Sequence, residues 1–307
     1  MLKQICLNKM AKISVVISAF NEERKIEDCL KSASFADEII FVDGSSTDNT
    51  VKIAKKYTSK IFVRENNPML NVNKNFGFLK ALNEWVLSLD ADERVTPELA
   101  KEIESSIANH KSSIVGYWIP RKNIIFGKWI QHSGWYPDHQ LRVFRKGRGK
   151  FEEKHVHEMV KVDGKLGYLT SPILHYNYEN VSQFLRKLET YTQNEADQLF
   201  ESGYTFDFRD AMRFPTKEFL SRFFARKGYK DGLAGLVLSI FMAFYHFTIF
   251  VRMWELRKFK DIPDKDFLRT TEKEILSTGK EIKFWIKKEK RDLEKNPIKK
   301  ILYKISS

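Results

Sequence analysis

The stretch Trp85-Val86-Leu87-Ser88-Leu89-Asp90-Ala91-Asp92-Glu93 constrains this chain more than any other. A short apolar run rich in β-formers predicts a buried strand, and it breaks off into two aspartates spaced so that both can approach one point beyond its end. Hard divalent cations such as Mg²⁺ take a few carboxylate oxygens and keep positions open for the phosphates of a substrate. Asp-x-Asp at a strand end is therefore a candidate diphosphate-metal site. Acidic pairs also suit a helix cap and first turn, so the triplet alone leaves both readings open.

The segments upstream narrow the choice. Residues 13–20 are β-branched and continuous, as expected of a parallel strand covered on both faces. Asn21-Glu22-Glu23 ends that strand, and residues 24–34 carry helical spacing at Ile26, Leu30 and Ala33. A second strand, 38–43, is closed by a turn at 44–50 that supplies cap groups for a helix over 51–57. A third strand follows at 60–64. This alternation predicts an α/β fold with right-handed crossovers and a doubly wound, mostly parallel sheet. Ligands of such sheets sit outside the carboxyl ends of the strands, and 21–23, 43–45 and 90–92 all fall on that edge. Three polar strand ends on one rim point to a shared nucleotide site. On the helix expected over 72–84, Lys74 and Asn75 are candidate phosphate contacts, a solvated helix face being the alternative.

Composition limits the partners. A formal charge of +13 favours an anionic one: nucleic acid, an acidic membrane surface or a phosphorylated substrate. Nucleic acid leaves the acidic strand ends unexplained, because carboxylates repel phosphates unless a cation intervenes, and it is not expected here. Apolar content of 42% argues against disorder. Cys6 and Cys29 form no disulfide framework, which fits a reducing compartment, and residues 1–11 lack the apolar core of a secretion signal.

The motifs Ile13-Ser-Val-Val-Ile-Ser-Ala-Phe-Asn-Glu-Glu, Val42-Asp-Gly-Ser-Ser-Thr-Asp-Asn-Thr and Leu87-Ser-Leu-Asp-Ala-Asp-Glu resemble, in order and spacing, the family 2 glycosyltransferases of the GT-A fold. That resemblance implies that Ala19, Asn21, Glu23 and Asp43 line the pocket for the donor's base and ribose. Asp90 would lie against ribose and diphosphate, and Asp92 would hold Mg²⁺ or Mn²⁺. Further on, Trp135-Tyr-Pro-Asp-His-Gln-Leu-Arg-Val-Phe-Arg is similar to a segment of the lipopolysaccharide-core branch, closest to the bacterial core β-1,4-glucosyltransferases. Inverting transfer needs a carboxylate near the acceptor hydroxyl to take its proton. Asp138 is the first candidate and Glu158 its rival; Arg142 suits phosphate better than Gln140 because its fork of donors matches phosphate oxygens. His157 could add a metal ligand, a polar edge strand being the other reading of that stretch. Residues 126–144 read as an aromatic and polar cluster suited to a sugar ring or to core packing.

Beyond Ser171 the pattern turns helical, with a helix expected over 181–200. Residues 233–251 form an apolar segment, uncharged between Asp231 and Arg252, of borderline length for a bilayer span of about twenty residues. It reads as a helix in the membrane interface, with spanning or core burial as alternatives. The lysine-rich residues 257–307 carry Phe284, Trp285 and Ile286 and could follow acidic headgroups. The expected division is a GT-A catalytic domain over 1–175 and a helical, membrane-associating extension over 176–307.

What the resemblance implies is a metal-dependent inverting transferase at the cytoplasmic face of the inner membrane, peripheral or monotopic. It would move a hexose, glucose first, from a UDP-linked nucleotide-sugar donor to a lipid-linked glycan such as the lipopolysaccharide inner core. Another sugar and another cell-surface glycan form the first alternative. A phosphatase of the haloacid dehalogenase type, which also places Asp-x-Asp after an apolar strand, is remote: it wants Thr or Val where Arg94 stands.

Overall fold

A computed structural model describes residues 11–67, 69–109, 113–153, 158–205, 207–261 and 264–295. The chain forms two compact units, Met1–Trp129 with Tyr136–Asn177, and Ile130–Trp135 with Tyr178–Ser307.

In the first unit β1 (Ile13–Ala19), β2 (Glu38–Asp43), β3 (Ile61–Val63) and β4 (Trp85–Asp90) run parallel, joined by α1 (Ile26–Ser32), α2 (Thr50–Ala54) and α3 (Leu70–Lys80). The β-branched run of β1 is buried along its length because neighbours cover both faces. One face packs Val15, Ile17, Leu87 and Leu89 with Ile26 and Leu30 of α1. The other packs Val16, Ile40, Val42 and Val86 with Phe78 of α3. Gly77 lets α3 approach that face, since a Cβ there would overlap Val16 and press on Val42.

The chain continues through β5 (Glu93–Val95), α4 (Pro97–Ile107), β6 (Ile114–Ile125), β7 (Lys128–Trp129), β8 (Asp138–Arg145), β9 (Gly149–Lys150), β10 (Lys161–Val162), β11 (Lys165–Tyr168) and β12 (Ile173–Tyr178). Thr96 caps α4 by accepting Leu99 N–H at 3.1 Å, with Pro97 in the first turn. The sheet order is β3-β2-β1-β4-β8-β6-β12-β5, so the parallel half continues into an antiparallel one. The sequence reading placed no strand in 126–144; β8 lies there, between β4 and β6. Its Leu141, Arg142, Val143 and Phe144 are all buried, and the charged residue among them hides the apolar signature of a central strand.

The second unit holds α5 (Val181–Glu201), α6 (Asp210–Leu220), α7 (Gly232–Leu256) and α8 (Phe267–Leu293). Asn180 caps α5 by accepting Gln183 N–H at 2.9 Å. Ala196 packs with Ile249, Phe250 and Met253 in its core. The turn before α7 grips the 130–135 segment. Asp231 accepts the backbone N–H groups of Gln131 (3.2 Å) and His132 (2.8 Å). Ser133 donates its N–H to Arg226 O at 2.9 Å, and Arg222 donates to Ser133 O at 2.8 Å. Gly228 and Gly235 make that turn possible, because a Cβ on Gly228 would strike Ser133 Oγ and one on Gly235 the Gly228 carbonyl. Helix α7 extends the expected 233–251 at both ends, and α8 orders much of what the sequence showed only as a basic tail.

Candidate active site

Strand register builds the site. Ser18 pairs with Asp90 and Ala19 with Asp43, so the acidic ends of β2 and β4 flank the end of β1, about one strand spacing away on either side. Asp43 is 1% exposed. Its Oδ2 accepts the Ser46 N–H at 2.9 Å, while its buried Oδ1 has no hydrogen-bond partner. A buried oxygen of this kind costs free energy until a donor reaches it, which suits the N–H of a ligand base.

Asn21 and Glu23 stitch two loops together. Asn21, at φ 54°, accepts Thr47 N–H at 2.8 Å and donates its own N–H to Ser46 Oγ at 2.9 Å. Glu23 accepts the Asn49 N–H and side-chain amide at 3.1 and 3.0 Å. Ala19 O accepts the Gly44 N–H at 2.8 Å. These groups shape the rim around Asp43, and their bonds run to the protein itself.

Asp90 sits in a web of charge. Lys74 Nζ lies 2.5 Å from its Oδ1, and Arg142 donates to its Oδ2 at 2.5 Å. The same guanidinium donates to Glu93 Oε1 at 2.7 Å, and Glu93 Oε2 accepts Asp90 N–H at 3.0 Å. Burial alone would raise the Asp90 pKa, but Arg142 and Lys74 outweigh it and hold the group well below the usual carboxylate range. Burial likewise opposes the charge on Arg142, and Asp90 and Glu93 reverse that, pushing its pKa up. Arg94 locks the turn between the aspartates, donating to Ala91 O, Glu93 O and Lys25 O at 2.7, 2.8 and 2.6 Å. Cys29 is buried behind it with its thiol on Asp90 O at 3.4 Å, and burial pushes that thiol's pKa up, which leaves it inert.

Asp138 opens β8. Its Oδ2 accepts Arg121 Nε at 2.8 Å, Arg121 Nη2 at 2.5 Å and Asn123 Nδ2 at 3.3 Å, and its Oδ1 accepts Gln140 Nε2 at 2.9 Å. Burial pushes its pKa up, but Arg121, Asn123 and Gln140 together bring it below the ordinary value. The Asn123 amide, oriented by Asp138, turns its oxygen to His175 Nδ1 at 2.6 Å. That assigns a ring proton to Nδ1, and Nε2 faces Asp92 Oδ2, 3.5 Å away.

A family model, Glycosyl transferase family 2, matches residues 14–163. An uncharacterized glycosyltransferase of Rickettsia typhi is 33% identical over 80% of this chain and 88% of its own length. The chain belongs to glycosyltransferase family 2. The lipopolysaccharide core biosynthesis glycosyltransferase LpsC of Rhizobium meliloti is 26% identical over 83% of this chain and 96% of its own. Among solved structures, S. aureus TarS 1–349 in complex with UDP is 17% identical, covering 82% of this chain and 94% of that one, with a TM-score of 0.43.

As a family 2 enzyme the chain has the GT-A fold, and the phosphatase alternative falls away. The described contacts gather Asp90, Lys74 and Arg142 into one web. Arg142 is held by two carboxylates and is 6% exposed. The Asn75 amide pairs with the Phe151 backbone, at 2.9 Å in both directions, and with Glu153 Oε1 at 2.7 Å. Glu158 belongs to that same neighbourhood, its Oε2 accepting the Glu153 N–H at 2.8 Å. His157 lies outside the described residues.

Arg121, Asn123 and His175 escaped the sequence, and Glu93 stood in its leading motif without a role. The four come from β5, the second half of β6, and β12, and only the sheet brings them together. Among the described residues no group of three or more His, Cys, Asp or Glu stands ready for a metal. Asp92 and His175 nevertheless offer one oxygen and one nitrogen lone pair to a common point, and His175 donates its other N–H to an amide oxygen, as ligating histidines do. This donor pair fits a divalent ion that takes its remaining ligands from a diphosphate.

Proposed function

We propose that this family 2 enzyme is an inverting, metal-dependent transferase that moves a hexose, glucose first, from a UDP-linked donor to a lipid-linked glycan of the lipopolysaccharide inner-core kind. It works at the cytoplasmic face of the inner membrane, as a peripheral or monotopic protein. The single observation that carries the reading is the flanking of the β1 end by Asp43 and Asp90, with Asp92 two residues past the end of β4 and His175 facing it.

The residues divide the work. Asp43 accepts from the base through its unpartnered oxygen, while Asn21 and Glu23 hold the loop that shapes the pocket. Asp90, kept ionised by Lys74 and Arg142, accepts from the ribose. Asp92 and His175 hold Mg²⁺ or Mn²⁺, which when bound neutralises charge on the departing diphosphate. Asp138 takes the proton of the acceptor hydroxyl at its carboxylate as the sugar-oxygen bond forms. Arg121, Asn123 and Gln140 aim that carboxylate and keep it deprotonated at neutral pH, at some cost in basicity. Glu158, whose Oε2 accepts the Glu153 N–H, is the rival candidate for that proton. Similarity to LpsC along most of both chains supports the acceptor class.

Membrane association draws on α7. Among the described residues Gly228–Leu256 is the one helix long and apolar enough to cross a bilayer, and only 28% of its most apolar window is buried. Leu233, Ile240, Phe244 and Phe247 stand exposed on it.

A donor panel of UDP-glucose, UDP-galactose, UDP-N-acetylhexosamines and ADP-heptose, run against extracted glycolipid acceptors with and without chelator, tests the proposal. Transfer from UDP-glucose that stops on chelation and resumes with Mg²⁺ or Mn²⁺ is expected. Transfer from ADP-heptose alone, or undiminished transfer in chelator, overturns the donor or the metal part respectively.

A further inference from the structure

We propose that α8 docks on an anionic lipid bilayer through one lateral stripe of apolar side chains flanked by lysines. This rests on the membrane-associated reading above and adds a surface on α8 to the one on α7.

At 3.6 residues per turn, Leu268, Ile275, Ile282, Ile286 and Leu293 fall within one narrow arc of the helix. Four of them are well exposed: Leu268 82%, Ile275 55%, Ile286 38% and Leu293 58%. None of the residues of this 27-residue helix is buried, so the stripe contributes little to the packing of its own unit. The helix is nonetheless fixed in rotation. Glu274 accepts Arg213 Nε at 2.9 Å, Trp285 stacks on Phe224 at 6.3 Å between centroids, and Tyr229 donates its hydroxyl to Glu289 at 2.8 Å. Those three contacts occupy the arc beside the stripe, and they hold its apolar side chains out toward solvent.

The far flank of the stripe carries Lys283 and Lys290, with Lys280 and Lys287 beyond them and Glu272 as the acid among them. Two other acids of the helix, Glu274 and Glu289, already serve the attachment face. An apolar stripe edged by cations matches the boundary of a bilayer: the apolar side chains enter the acyl region, and lysine stems reach back to phosphate. Charge argues against a second copy as the occupant, since stripe-to-stripe pairing would bring lysine flanks together. Anionic headgroups supply the complementary sign.

The test is flotation of the full-length protein with vesicles of phosphatidylcholine doped with phosphatidylglycerol, against vesicles of phosphatidylcholine alone. Wild type is expected to float with the anionic vesicles and to be released by salt. Lys283→Gln with Lys287→Gln should weaken partition roughly thirtyfold, about fivefold being lost per lysine near a charged surface. Ile275→Asp with Ile286→Asp should abolish flotation while UDP protection of the catalytic unit against heat is unchanged, which shows the variants folded. If wild type floats and both variants float equally well, α8 is not the docking surface, although the membrane reading stands. If wild type floats with neither vesicle, both fail. If the isoleucine variants leave flotation intact but convert a dimer to a monomer, the stripe joins two copies and the proposal falls.

Discussion

The two units invert the usual distribution of side chains in opposite directions. The catalytic unit puts charge inside: Glu93 is 0% exposed and Arg142 6%, and each is paired within a continuous web that runs from Lys74 through Asp90, Arg142 and Glu93. The helical unit puts apolar groups outside, on α7 and along α8. Buried charge costs desolvation unless it is paired, and exposed apolar surface forgoes the burial that stabilises a fold. Each unit departs from maximal stability at the surface to which the proposed function assigns a partner, a diphosphate with its cation in one and a lipid surface in the other.

The sharpest way to break this contrast is at Asp138. Asp138→Asn should lower kcat by ~10²–10⁴ while UDP-sugar binding, read by calorimetry, is retained. Loss of binding as well would make Asp138 a part of the donor pocket. Asp92→Asn should cost roughly 10³-fold in transfer, about 4 kcal/mol, together with metal-dependent UDP protection; wild-type metal response in that variant would remove Asp92 from the site. Glu93→Gln leaves Arg142 and the neighbouring Arg121 short of their shared counter-charge. It should destabilise the catalytic unit by about 3–5 kcal/mol in urea unfolding, the usual cost of breaking a buried pair. A loss below about 1 kcal/mol would mean the web is wetter than its exposure suggests.

Acid should expose the same asymmetry more gently. Asp90 and Asp138 have folded pKa values below the ordinary 3.8, so their stabilising contribution is complete above that value and is lost as pH falls through the depressed ones. Thermal unfolding of the catalytic unit should therefore show no loss from these groups between pH 5 and 8, as an order-of-magnitude window, and a steep loss under acid conditions below it. A transition near neutral pH that vanishes in Asp138→Asn would contradict the pairing seen here. The smallest effect belongs to the other unit: Phe244→Ser, at a site 49% exposed, should change stability by less than about 0.5 kcal/mol while weakening vesicle flotation.

What the sequence made legible follows the same divide. Strands β1, β2 and β4 could be read because parallel strands buried on both faces are continuous apolar runs, and their polar ends then marked the rim. Strand β8 could not, because polar residues interrupt it: Asp138 and Arg142 find their partners, Arg121 and Glu93, on other strands, and Gln140 donates to Asp138. Asn123 and His175 carry no local signal at all; a lone Asn in β6 and a lone His in β12 acquire meaning only from the 2.6 Å bond between them. Lys74 stands one turn into a helix that feeds Asp90 and pairs with it, whereas the adjacent Asn75 reaches the 151–153 segment. In α8 the apolar stripe was masked by the aromatic residues Phe284 and Trp285, which face two other directions around the helix.

The 130–135 segment has a practical corollary. The polypeptide passes from one unit to the other three times, at 129/130, 135/136 and 177/178. A catalytic fragment severed after Asn177 would keep those six residues but forfeit Asp231, Arg226 and Arg222, the groups that anchor them. Its freed segment would end three residues before Asp138, so excision at the obvious seam should blunt turnover even where every named ligand of the donor survives.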